Sequence, residues 1–73
     1  MPKRYSARDV LKALRKAGFE EISQKGSHIK LRGKREGKLH TVIVPNHKSI
    51  AVGTFSSILR QAEMTRGEFE SFL

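Results

Sequence analysis

The sequence predicts a small α+β domain of order α-β-β-β-α, a three-stranded antiparallel sheet with its helices on one face. Three observations predict it. Ala7, Val10, Leu11, Leu14 and Ala17 fall at i, i+3, i+4, i+7 and i+10, the single apolar stripe of a helix. Residues 19–44 hold three β-prone runs separated by glycine-containing turns. A second stripe, Val52, Phe55, Ile58, Leu59 and Ala62, follows them. Two helices that each bury one stripe belong on the same side of such a sheet, and its other side stays open.

The first helix opens at Ser6, where Ser6-Ala7-Arg8-Asp9 has the spacing of a capping box and Tyr5 is placed to staple onto Val10. Gly18 supplies the left-handed residue that ends it, with Phe19 folding back as its apolar partner. Phe19 to Gln24 reads as a weakly alternating first strand, and Lys25-Gly26 as the turn after it. The second strand runs from Ser27 to Arg32 and the third from Lys38 to Val44, joined by the loop Gly33-Lys34-Arg35-Glu36-Gly37 as an antiparallel hairpin. Register decides one consequence. Pairing Arg32 with Lys38 puts His40 on the surface of His28, and pairing it with Leu39 puts His40 on the opposite one.

Pro45 stops the ladder because it has no N–H to give. Residues 46–52 connect to the second helix, and Thr65 with Glu68 makes a capping box for a short last helix bearing Phe69, Phe72 and Leu73 on one side. There is no internal repeat.

The chain of 73 residues allows one domain spanning residues 1–73, near the lower limit for a self-sufficient core. It has no cysteine, which excludes disulfides and cysteine zinc sites and makes the cytoplasm the expected location. Residues 1–5 lead into no apolar run, so neither a secretion signal nor a membrane association is expected. Net charge is +8, concentrated early: residues 1–48 carry 13 Lys and Arg against 4 Asp and Glu. A field of that kind draws polyanions, nucleic acid above all.

The strand beginning at Ser27 is where that charge meets a titratable group. Alternation places His28, Lys30 and Arg32 on one face, with Ile29 and Leu31 on the other. Cleaving an RNA strand requires a base for the 2′-hydroxyl, cations for the negative charge on the phosphorane, and an acid for the leaving oxygen. His28 suits one proton transfer, and His40 or His47 the second. Lys25, Ser27, Lys30, Arg32 and Lys48 are the expected RNA contacts. The same row also suits RNA binding without cleavage, or an acidic protein partner. No metal site is expected, since no HxH or HxxxH pair and no cysteine is present. Ser27 is a poor nucleophile for His28, because neighbouring strand residues point to opposite faces, and no P-loop spacing surrounds Gly26.

Taken in order, Leu11 to Phe19, Lys25-Gly26-Ser27-His28, Val42-Ile43-Val44-Pro45 with His47, and Gly53-Thr54 ahead of Ile58-Leu59 resemble the HicA toxin family. The match spans nearly the whole chain. The resemblance implies a fold similar to double-stranded-RNA-binding domains and the toxin role in a type II toxin–antitoxin system. It further implies a ribosome-independent mRNA endoribonuclease held inactive by a HicB-like antitoxin; that the reaction needs no metal or other cofactor is expected from the side chains, which offer no metal site. The resemblance assigns catalysis to His28, and gives His47 a recurring position without a catalytic role.

Overall fold

The structure is a computed structural model, and it describes residues 4–73. In chain order it forms α1 (Ala7–Lys16), β1 (Glu20–Lys25), β2 (His28–Arg35), β3 (Lys38–Pro45), α2 (Val52–Ala62) and α3 (Arg66–Ser71). The strands make one antiparallel sheet of order β1-β2-β3. Its two cross-strand apolar pairs, Ile29 with Val44 and Leu31 with Val42, are buried with residues of all three helices. The helices thus occupy one face, as the stripes require.

Local signals set the ends of α1. Ser6 Oγ accepts the N–H of Asp9 while Asp9 Oδ2 accepts the N–H of Ser6, the reciprocal capping box. At the other end Gly18 takes φ +103°, and the N–H groups of Gly18 and Phe19 donate to the carbonyls of Arg15 and Leu14. That pairing is a Schellman motif, and it turns Phe19 into the core. Phe19 is therefore a core side chain ahead of β1, which starts one residue later than expected and consists wholly of exposed residues. Tyr5 is buried as well, its ring centroid 5.1 Å from those of both Phe55 and Phe69.

The β2–β3 hairpin differs from the expected loop. β2 continues through Gly33, Lys34 and Arg35, and only Glu36-Gly37 turn, with φ of +53° and +78°. Both central residues at positive φ mark the two-residue hairpin whose twist matches its strands. Gly33 is a strand residue because of what lies over it: a Cβ there would come within 2.9 Å of the Gly18 carbonyl and of the Phe19 ring. The register is also neither of the two expected. Arg32 pairs with Thr41 and Gly33 with His40, so His40 faces the helices.

Two apolar expectations fail. Val52, counted in the α2 stripe, and Leu73, counted with Phe69, are both exposed, whereas Phe55, Ile58 and Ala62 are buried. The loop residue Ile50 takes a core place instead, its N–H donating to the Tyr5 carbonyl at 2.8 Å. The α3 capping box of Thr65 and Glu68 forms as expected.

Candidate active site

The uncovered face of the sheet follows from the register. Residues directly opposite one another share a face, so His28, Lys30, Arg32 and Lys34 of β2 stand beside Pro45, Ile43, Thr41 and Leu39 of β3, with Lys25 of β1 opposite His28. His28 is exposed, and Lys30 is half-buried between the flanking strands. Lys34 joins this face because β2 runs past Arg32, where the sequence alone ends the strand. The alternation His28, Lys30, Arg32 already points to it.

Charge is sorted by face. Among the described residues the ion pairs are Arg15–Glu21 at 2.6 Å, Arg35–Glu68 at 2.7 Å and Arg66–Glu70 at 3.4 Å, and His40 Nε2 lies 2.9 Å from Glu63 Oε2. None of them uses Lys25, Lys30, Arg32 or Lys34. These ion pairs lie on the helical side; on the open face Glu20 of β1 stands opposite Arg32 but enters none of them, and His28, Lys30, Arg32, Lys34 and Lys25 leave that face with an excess of cations. Arg32 makes one long contact there, Nε to Thr41 Oγ1 at 3.4 Å.

His28 stands at the end of this face, where the sheet meets the loop before α2. A depression of about 470 Å³ lies there, walled by His28, Ile43 and Pro45 from the sheet, His47 and Ser49 from the loop, and Ala51, Thr54 and Gln61 at α2. Main-chain bonds fix its rim. The Ser27 carbonyl in the β1–β2 turn accepts the N–H of Asn46 at 2.6 Å, tying the turn that carries His28 to the loop that carries His47. Gln61 Oε1 accepts the N–H of Ile43 at 2.8 Å, which closes the β3 edge and leaves the Gln61 amide nitrogen to donate. Gln61 had no signal in the sequence; its role depends on α2 lying along β3.

The start of α2 differs from the starts of α1 and α3. Those two carry capping boxes with an acid in the first turn, while α2 begins at Ala51 with no side-chain cap and no acid. Its first N–H groups therefore have no side chain to satisfy them, at an end where the helix dipole favours negative charge. Ala51 and Thr54 at this end of α2 wall the depression together with two histidines and no carboxylate.

The expected contact residues separate. Lys25, Lys30 and Arg32 share the open face with His28, and Ser27 sits in the adjoining turn. Lys48 lies apart from them, with Ser6 and Arg8 in a second depression on the far side of His47. His40 is on the helical side with its side chain only 13% exposed. Among the described residues no three His, Asp or Glu side chains converge as metal ligands, and no helix is long and apolar enough to cross a membrane.

Fold and site together define a small basic α+β domain with an open, cation-rich sheet face and a depression walled by two histidines at its end. Residues 7–64 match the family model described as the HicA toxin of bacterial toxin-antitoxin, and the chain belongs to that family. Its role is that of the toxin, and membership implies a paired antitoxin. No curated protein matches the chain.

Proposed function

We propose that this toxin is an endoribonuclease that cuts mRNA independently of the ribosome, with His28 transferring a proton at the scissile phosphate. The observation that carries the reading is the position of His28, exposed at the end of an open cationic face and beside an uncapped helix start. RNA lies along the sheet with its phosphates against Lys25, Lys30, Arg32 and Lys34, and Ser27 donates from the turn. The scissile phosphate enters the depression, where the α2 N–H groups and the Gln61 amide take the charge that builds on its oxygens. A HicB-like antitoxin silences the toxin in the cytoplasm by covering this surface.

The test uses purified chain freed of any inhibitor, incubated with RNA in EDTA. New ends carrying cyclic phosphates are expected from the wild type. His28→Gln should lose roughly 10²–10⁴-fold in rate while its melting temperature stays unchanged, because the side chain is exposed. RNA bound tightly but recovered intact would replace catalysis with plain binding on the same face.

A further inference from the structure

Transesterification of RNA moves two protons, and the depression beside His28 contains a second imidazole. The 2′-hydroxyl must lose a proton as its oxygen attacks phosphorus, and the 5′-oxygen must gain one as the P–O5′ bond breaks. Three histidines are present in the chain. His40 is removed by register: it pairs with Gly33 on the helical face and has Nε2 2.9 Å from Glu63 Oε2. His47 is not. Although two residues past the end of β3, it walls the same depression as His28.

We propose that His47 is the second proton-transfer residue of this site, working with His28 across the bound phosphate. The proposal rests on the endoribonuclease reading above. Its geometric support is main-chain bracing of both imidazoles. His28 is paired with Pro45 across the ladder, and the turn before it is bonded to Asn46. The His47 N–H donates to the Pro45 carbonyl at 2.9 Å, and the His47 carbonyl accepts the N–H of Ala7 at 2.9 Å. The backbone at 47 is thus held on both sides, by β3 and by the start of α1, while its side chain is left without structural duty. Among the described residues neither the His28 nor the His47 ring has a hydrogen bond or ion pair. The charged groups around the pair are Lys25 across from His28, and Arg8 and Lys48 on the other side of His47. All are cations, and no Asp or Glu lines either depression, so the surroundings of both rings favour an anion such as a phosphate.

The step balances. One neutral imidazole takes the 2′-hydroxyl proton; the 2′-oxygen forms a bond to phosphorus as the bond to the 5′-oxygen breaks; the other ring, as imidazolium, protonates the departing 5′-oxygen. The products are a 2′,3′-cyclic phosphate and a 5′-hydroxyl. Proton exchange with water then resets the two rings.

The experiment compares His28→Ala, His47→Ala and His40→Gln on an oligoribonucleotide carrying the linkage that the wild type cuts. It repeats the assay on the same oligonucleotide with sulfur in place of the scissile 5′-oxygen. A thiolate leaves without protonation, so this substrate restores a variant lacking the acid and does nothing for one lacking the base. Expected are a fall in kcat of about 10²-fold or more for His47→Ala with little change in KM, an unchanged melting temperature, and loss of one limb of the pH–rate profile. His40→Gln should keep the wild-type kcat. The sulfur substrate should rescue one of the two alanine variants and leave the other inactive. The proposal is overturned if His47→Ala keeps its kcat, if it changes KM alone as a simple phosphate contact would, or if sulfur rescues both variants or neither. His28→Ala inactive beside a fully active His47→Ala would remove this assignment alone, whereas wild-type protein that cuts no RNA would remove the endoribonuclease reading with it.

Discussion

Side chains that are neighbours in β2 live in opposite environments. Leu31 has 0% exposure beneath the helices, while Lys30 and Arg32 on either side of it turn to the uncovered face. The odd-numbered positions Ile29, Leu31 and Gly33 are shaped by packing: two apolar side chains, then no side chain at all where Phe19 lies across the strand. The even-numbered positions His28, Lys30, Arg32 and Lys34 are shaped by charge and enter none of the ion pairs, although Glu20 stands opposite Arg32. One strand therefore carries the core on one side and the proposed site on the other with little coupling between them, because the pleat sends alternate side chains to separate surroundings. The two sets should break separately, and measuring both properties on each variant tests that division.

The largest effect is expected on the covered face. Leu31→Ala should cost about 2–5 kcal/mol, a large share of the roughly 5–15 kcal/mol that holds a typical small domain together. Chemical denaturation would show the loss, and the variant should cut RNA normally at temperatures where it is still folded. Gly33→Ala should come next. Its methyl must displace the Phe19 ring or the Gly18 carbonyl, and overpacking of that kind costs about 1–3 kcal/mol; a melting temperature equal to the wild type would show that the surroundings yield easily.

On the open face, Lys30→Ala with Arg32→Ala should leave the melting temperature nearly unmoved and weaken RNA binding instead. The slope of log affinity against log salt should shrink by roughly 0.7 for each single-strand phosphate that the protein no longer neutralises. An unchanged slope would mean that RNA does not follow this face. The smallest effect concerns α3, where the Thr65 backbone N–H, and after it the Arg35 guanidinium, hold the Glu68 carboxyl below its ordinary value of 4.5. A carboxyl depressed by folding stabilises the native state above its unfolded value, and that contribution is lost as the pH falls through the folded one. Glu68→Gln should accordingly lower the melting temperature slightly at neutrality, Gln still completing the capping box, and converge with the wild type at acid pH, so that the acid decline is flatter.

Much of the fold could be read in advance because its signals are local. Ser6 with Asp9, Gly18 with Phe19, and Thr65 with Glu68 each act within a few residues, so the ends of α1 and the start of α3 were legible. The face shared by His28, Lys30 and Arg32 was legible for the same reason, a period of two needing no partner to define it. The hairpin was not. Gly33 and Gly37 look alike along the chain, and only Phe19, arriving from another element, distinguishes a glycine that makes room from one that turns.

What the sequence alone determined was therefore the list of elements, the excess of cations in its first two thirds, and the histidine that follows the Gly26-Ser27 turn. Tertiary structure decided which residues join that histidine. Register sent His40 to the helices, the bonds from Asn46 to Ser27 and from Ala7 to His47 brought a distant loop against the sheet, and α2 delivered Gln61 to the β3 edge. The physical reason is range: caps and alternation are settled by interactions between near neighbours along the chain, whereas a site assembled from a turn, a loop and a helix exists only once the core has drawn those segments together.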